Sequence, residues 1–237
     1  MMFRVLAADF LKIRRKAIWF LIFLGPIGVI ALQAANYGLR YDYLMEKYAA
    51  NPWGAFLGNI QFLLPVTILL GIAIIASMVA NIEHQMNSWK QLLALPIARA
   101  SVFSAKFTLC VLMLLISCIL LGIGIVGLGL GLKLGTDVPL ISVIKLSFYP
   151  FIASLPALAL QLWLSVTMRN QALPLTVGIL GGVVSTYASN MPDWFLWKLP
   201  LLTNHAGIPE YSVVAGLAVG IVIFAIGLLH FTRRDVN

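Results

Sequence analysis

The stretch FTLCVLMLLISCILLGIGIVGLGLGL, residues 107–132, contains no Asp, Glu, Lys or Arg. A helix needs about 20 apolar residues to cross the hydrocarbon core of a bilayer, so this stretch is long enough to cross it once. Further uncharged runs occupy residues 17–39, 48–82, 146–168, 170–192 and 211–232. We therefore predict an all-α polytopic membrane protein with six transmembrane helices, built as a single domain over residues 1–237.

The uncharged runs, the turn-forming residues and the positions of the charges set the predicted boundaries. Residues 51–54 (Asn-Pro-Trp-Gly) interrupt the longest run and are interpreted as an interfacial loop. An interfacial helix is predicted over 1–16 and a cytoplasmic loop with a short coupling helix over 83–103. The six spans are predicted at about 17–37, 60–81, 104–132, 146–168, 170–190 and 211–232.

Composition excludes a soluble globule. Hydrophobic residues make up 61% of the chain and charged residues 10%, whereas a soluble domain has about 25% charged residues. The 16 Lys and Arg residues outnumber the 8 Asp and Glu residues. They lie at the ends of the apolar runs, where they set topology and contact anionic headgroups, so we predict membrane lipid and no nucleic acid as a partner.

The distribution of Lys and Arg predicts the orientation. If the N-terminus is cytoplasmic, eleven of these residues lie on the inner side and five on the outer side. Because cytoplasmic loops carry the excess of Lys and Arg, this orientation is the favoured one. Both termini are therefore predicted to be cytoplasmic.

The residues before the first span have helical periodicity. Phe3, Leu6, Phe10, Ile13 and Ala17 recur at three- and four-residue steps, and the basic residues lie largely elsewhere. Such a pattern is typical of an amphipathic helix that lies on the membrane surface.

No motif in the chain predicts catalysis. Gly122, Gly124 and Gly127 match G-x-G-x-x-G, but they lie inside an apolar run, where glycines serve close helix packing instead of binding a dinucleotide. There is no P-loop, no H-E-x-x-H and no ionisable residue near the centre of a predicted span. We expect no enzyme activity, cofactor or metal on this chain, and an energy source outside it.

The stretch EHQMNSWKQLLALP, residues 83–96, predicts a helix that begins with an acidic residue and is ended by proline. Its apolar residues share one face: Met86, Trp89, Leu92 and Leu93. Large apolar side chains that are exposed together on a cytoplasmic loop indicate a surface that contacts another protein or the membrane. Two interpretations stay open, a helix that docks into a cytosolic subunit and a helix that rests on the lipid headgroups.

The chain resembles the permease subunits of type-2 ABC exporters, and among them the permeases of lantibiotic-immunity and bacitracin-resistance-like transporters. The resemblance covers the whole chain and includes the six-span layout. It rests on Asp9-Phe10-Leu11-Lys12 with the basic residues after it, on the loop pattern, and on Phe231-Thr232-Arg233-Arg234-Asp235. The loop pattern consists of Glu83, Trp89, Leu92-Leu93, Pro96, Arg99 and Lys106.

The resemblance implies partners and residue roles. Two permease subunits, identical or homologous, would pair with a dimer of cytosolic ABC ATPase subunits that hold ATP and Mg. Glu83 would contact the ATPase or cap the coupling helix, and Arg99 and Lys106 would anchor the loop at the inner leaflet. The implied coupling residues are Glu83, Met86, Trp89, Leu92, Leu93, Pro96, Arg99 and Lys106.

The function implied by this resemblance is ATP-driven removal of antimicrobial peptides from a bacterial plasma membrane, which confers resistance or immunity. Two alternatives stay open. One is an ABC exporter of ions or small drugs, and the other is a membrane scaffold or sensor subunit that does not transport.

Overall fold

The computed structural model of the chain describes residues 2–14, 16–85 and 98–233, and these residues form helices, turns and loops without a β-strand. Two short 3-10 turns, Ala188–Asn190 and Leu199–Leu201, lie between the last two α-helices. The α-helices are α1 (Met2–Ile13), α2 (Ile18–Lys47), α3 (Pro52–Gln85), α4 (Arg99–Gly131), α5 (Leu140–Ala153), α6 (Leu155–Thr167), α7 (Ala172–Ser185) and α8 (Pro209–Arg233). The predicted all-α class is confirmed over the described residues.

Four helices, α2, α3, α4 and α8, are long and apolar enough to cross a membrane. The pair α5 and α6 makes a fifth candidate span that is bent by 41°. Helix α7 has 14 residues, so at 1.5 Å per residue it is about 21 Å long, less than the roughly 30 Å of the hydrocarbon core. The described residues thus contain four or five candidate spans, and the sixth stays a prediction.

The helix predicted over 146–168 is broken in two. Helix α5 already begins at Leu140. It ends at Ala153, and α6 begins after Ser154, which lies between Pro150 and Pro156. Proline has no N–H to donate and its ring clashes with the preceding turn, so Pro156 favours a break just before it. The Ser154 hydroxyl donates to the carbonyl of Phe151 at 2.7 Å, which satisfies one acceptor at the break.

The segment 51–54, predicted to be an interfacial loop, is the beginning of α3, and that prediction was wrong. Asn51 Oδ1 accepts a hydrogen bond from the backbone N–H of Gly54 at 2.8 Å, and Pro52 is the first helical residue. Asn before the helix and Pro at its first position are favourable start signals. Trp53 is buried, and its indole N–H donates to the carbonyl of Gly135 at 3.2 Å.

Helix α2 continues well past the predicted end of the first span at residue 37. It runs to Lys47, with a local departure from helical geometry at Arg40 (φ −135°, ψ 29°). The Tyr41 hydroxyl donates to the carbonyl of Leu132 at 3.0 Å, so this extension is held against the far end of α4.

Glycines bring helices close together, as the sequence predicted. A Cβ at Gly216 would lie 2.6 Å from the Cα of Ala153, and a Cβ at Gly178 would lie 2.3 Å from the Cβ of Ala73. These contacts fix α8 on the α5–α6 break and α7 on α3. Gly124 is similarly close to a side chain of α2, which confirms that this part of the G-x-G-x-x-G match packs helices.

Candidate functional site

The loop singled out by the sequence joins α3 to α4, and the structure describes both of its ends. Glu83 lies in the last turn of α3, Arg99 begins α4, and Lys106 lies two turns further along α4. The remaining predicted coupling residues, Met86, Trp89, Leu92, Leu93 and Pro96, lie outside the described residues.

Four charged side chains meet around Glu83 in the last turn of α3, and they form a charge cluster of Asp9, Lys12, Glu83 and Lys106. The ammonium of Lys12 donates to Glu83 Oε1 at 2.6 Å, and that of Lys106 donates to the same oxygen at 3.2 Å. Lys12 Nζ also lies 3.5 Å from Asp9 Oδ1, and Lys106 Nζ lies 3.6 Å from Asp9 Oδ2. Each ammonium therefore contacts both carboxylates.

The two acids of this charge cluster each occupy a position in an otherwise apolar buried stripe. On α1, Val5, Asp9 and Ile13 are the buried residues, spaced one helical turn apart. On α3, Glu83 follows Val79 by one turn, and both are buried. Because of this helical spacing, the carboxylates of Asp9 and Glu83 point into the interface where α1 packs on α3 and α4.

The cluster is almost closed to solvent. The side chains of Glu83, Lys106 and Asp9 are 1%, 2% and 4% exposed, and only Lys12 reaches the surface, at 34%. Burying a single charge in an apolar interior is costly, whereas two acids and two bases in mutual contact neutralise one another. Removing one of the four side chains would leave a buried charge without a partner of opposite sign. The ion pairs between them hold α1, α3 and α4 together as one unit.

The pKa of Lys12 reflects this balance. Burial lowers the pKa of the ammonium, but the hydrogen bond and charge of Glu83, followed by the charge of Asp9, outweigh burial and raise the pKa above 10.5. Lys12 therefore stays protonated throughout the physiological pH range.

The two ends of the loop also contact helices far along the chain. His84 Nε2 lies 3.1 Å from the carbonyl oxygen of Ser165 in α6, and the amide of Gln171 donates to the same oxygen at 2.9 Å. The guanidinium of Arg99 donates to the carbonyl of Thr232 in α8 at 3.3 Å. A displacement of the loop would thus reach α6 and α8 as well as α1.

The structure brings two of the predicted site residues together and places the third elsewhere. Glu83 and Lys106 are in contact, while Arg99 is bonded to the end of α8. The ammonium of Lys106 contacts buried carboxylates, and its expected role as an anchor of the loop at the inner leaflet stays a prediction. Sequence reasoning missed Asp9 and Lys12 as site residues. Their only local signal is the acid-base spacing i, i+3 on a predicted helix.

A second charged group lies in the segment between α7 and α8. Asp193 Oδ2 accepts a hydrogen bond from the backbone N–H of His205 at 3.1 Å and lies 2.9 Å from its Nδ1, while Lys198 Nζ lies 3.0 Å from Asp193 Oδ1. The bonds from His205, and then that from Lys198, lower the pKa of Asp193 to about 2. The contact therefore stabilises this segment at all pH values above 3.8, and its contribution is lost as the pH falls toward 2.

Within the described ranges, no three His, Cys, Asp or Glu side chains are grouped as a metal site.

Comparison with known proteins agrees with the helical architecture. The family model for ABC-2 family transporter proteins matches residues 5–185, which is more than half of the 237-residue chain. No curated protein matches the chain. The matched region runs from within α1 to the end of α7 and includes all four residues of the charge cluster. Permeases of this family work with an ABC ATPase that is a separate protein. The chain belongs to the ABC-2 transporter family and is one of its membrane permeases.

Proposed function

We propose that the chain is the transmembrane subunit of an ATP-driven exporter in the bacterial plasma membrane. Two permease subunits, identical or homologous, would assemble with a dimer of ATPase subunits that bind ATP and Mg. Both termini would be cytoplasmic, and α7 with the turn up to residue 190 would complete a sixth crossing. The family membership and the apolar helices support this assignment.

The observation that carries the proposal is the charge cluster around Glu83, at the described end of α3. A cytosolic ATPase can act on a membrane domain only through residues outside the bilayer, and the loop over 83–103 is the largest predicted segment on the inner side. Glu83 at one end of this loop is joined by ion pairs to Lys12 on α1 and to Lys106 on α4. The end of α3 from which the loop starts is therefore joined to α1 and α4, which is what a coupling device requires.

In this proposal the loop residues have three roles: docking, transmission of the displacement and termination of the coupling helix. Met86, Trp89, Leu92 and Leu93 dock into the ATPase. Glu83 and Lys106 pass the resulting displacement to α1, because their side chains are buried against it. Arg99 passes it to α8 through its bond to Thr232, and Pro96 ends the coupling helix.

The proposed cargo is an antimicrobial peptide of the lantibiotic or bacitracin type. Resemblance to lantibiotic-immunity permeases supports it, and so does the absence of Asp, Glu, Lys and Arg from residues 107–132 and 146–168. Ion-coupled carriers place such residues inside their spans, whereas an amphipathic peptide can be taken from the membrane along apolar surfaces.

Leu93→Asp is expected to abolish peptide resistance while leaving membrane insertion intact. It would place a charge on the docking face of the predicted coupling helix, where desolvation of an unpaired carboxylate costs several kcal/mol. The measurements are resistance of cells that express the permease with its ATPase, and ATP hydrolysis of the purified complex with and without peptide.

Gln91→Asp is the matched control, because the helical spacing puts residue 91 on the opposite face of the same helix. It should retain resistance and peptide-dependent hydrolysis. Full resistance in a correctly inserted Leu93→Asp variant would contradict the coupling role. ATP-dependent ion efflux without peptide resistance would instead identify an ion exporter, and function without any ATPase would identify a scaffold.

A further inference from the structure

The face of α1 opposite the charge cluster combines apolar and basic residues. Phe3 is 80% exposed and Leu11 is 70% exposed, which is unusual for large apolar side chains unless something covers them. Arg4 and Arg14 are exposed on the same side, since residues 4, 7, 11 and 14 follow the three- and four-residue spacing of one helical face.

A groove of about 720 Å³ runs between this face and the beginning of α2. It is lined by Ala7, Phe10, Leu11, Arg14 and Trp19. Its walls are largely apolar, and Arg14 is the only charged residue among the described ones that line it. Apolar walls with a single cation match an amphiphile that carries a negative headgroup.

The apolar track continues along α2. Phe20, Phe23, Leu24 and Ile27 are between 44% and 66% exposed, and they follow Trp19 within the next eight residues. A hydrocarbon chain whose headgroup lies near Arg14 would therefore find exposed apolar side chains along the first turns of a candidate membrane span.

The charges at this end of the protein do not cancel within the described residues. Asp9 is the only acidic residue of α1, and its carboxylate forms ion pairs with Lys12 and Lys106. None of the ion pairs found between described residues involves Arg4, Arg14 or Lys16, and all three are exposed. The outward face of α1 thus carries an uncompensated positive charge, which attracts anionic lipid.

We propose that the groove between α1 and α2 binds an anionic phospholipid, with the phosphate at Arg14 and the acyl chains along Trp19 and Phe23. The charge of Lys16 adds to the positive potential near Arg14. Arg4 lies about 15 Å from Arg14 along the helix axis and attracts the headgroup of a neighbouring lipid. The bound lipid therefore holds the face of α1 that points away from the protein, while the charge cluster holds the opposite face, which packs on α4. This inference does not depend on the transported cargo.

Trp19 provides the measurement, because bromine on an acyl chain quenches a tryptophan that it contacts. The full-length chain would be reconstituted in phosphatidylcholine vesicles that contain a small fraction of either brominated phosphatidylglycerol or brominated phosphatidylcholine. The signal of Trp19 is the difference between the unmodified chain and Trp19→Phe. We expect half-quenching of Trp19 at an about fivefold lower fraction of the anionic lipid, the factor for one basic contact.

Arg14→Gln should remove most of this preference, whereas Arg14→Lys should retain it because the charge is kept. Lys133→Gln is the control, since Lys133 is equally exposed but follows the opposite end of α4. Equal quenching by the two brominated lipids, or an undiminished preference in Arg14→Gln, would overturn the proposal. Rising ionic strength should weaken the preference in the unmodified chain.

Discussion

Replacing Lys106 with methionine is expected to lower the free energy of unfolding of the chain by about 3–5 kcal/mol, the range for breaking a buried ion pair. The change removes one of two ammonium groups that neutralise Asp9 and Glu83. Both carboxylates are at most 4% exposed, so water cannot replace the lost partner. Thermal or denaturant unfolding in detergent, followed by circular dichroism, measures the loss.

A second substitution tests whether charge balance is the cause. Adding Glu83→Gln to Lys106→Met leaves Asp9 and Lys12 as a neutral pair at 3.5 Å. The double variant should therefore lose less stability than the sum of the two single losses, by about 0.5–3 kcal/mol, the usual range of coupling between contacting residues. Additive losses would show that the two side chains do not interact.

Lys145→Met is the matched control for the same chemical change at an exposed pair. Lys145 Nζ lies 2.8 Å from Glu210 Oε1, but the two side chains are 49% and 45% exposed. Water solvates the remaining carboxylate there, so stability should change little. A loss equal to that of Lys106→Met would mean that burial is not what makes the cluster important.

Gly216→Leu is expected to destabilise the packing of α8 on the bent span by about 1–3 kcal/mol, the cost of overpacking a core. A side chain at this position meets the backbone of Ala153, whose Cα lies 2.6 Å from where a Cβ would stand. Backbone cannot rotate aside as a flexible side chain can, so α5 or α8 must move. The measurement is again unfolding in detergent, with transport as a second readout.

Gly127→Leu is the comparison, because a Cβ there has open space within 4 Å and the residue is exposed. It introduces the same side chain into another apolar helix and should be tolerated. Stability of Gly216→Leu equal to that of Gly127→Leu would contradict the close approach of α8 to the break at Ser154.

Much of the helical architecture could be predicted from the sequence, because lipid imposes a simple requirement. Long uncharged runs such as 107–132 form helices since no other structure satisfies the backbone within hydrocarbon. The close helix packing at Gly124 also follows from its place among the glycines of an apolar run. Local hydropathy could therefore locate helices α2, α3, α4 and α8.

The misplaced boundaries have local physical causes. Asn51 and Pro52 were interpreted as loop residues although they form a capped helix start, because Asn and Pro favour turns equally well. The break at Ser154 depends on two prolines six residues apart, and uncharged composition alone conceals it. The continuation of α2 to Lys47 carries Arg and Lys residues that hydropathy assigns to a loop.

The charge cluster could not be predicted from local pattern. Asp9 and Lys12 precede Glu83 by more than 70 residues, and only the packing of α1 on α4 brings them together. The helical periodicity of the sequence predicts an apolar face of α1 that includes Phe3, Leu6, Phe10 and Ile13. The protein-facing stripe is instead Val5, Asp9 and Ile13, so part of the apolar face is left outward. Tertiary contact, and not periodicity, decides which face of α1 is buried.

The coupling account requires that residues 83–103 face the cytoplasm, where an ATPase can reach them. Labelling of a single cysteine tests this most directly. Cys110 and Cys118, both buried, would be replaced with alanine, and Ser88→Cys would add the only thiol. A membrane-impermeant maleimide should label this cysteine in inverted membrane vesicles and not in intact cells. Labelling in intact cells would place the loop outside the cell and contradict the coupling of this permease through it.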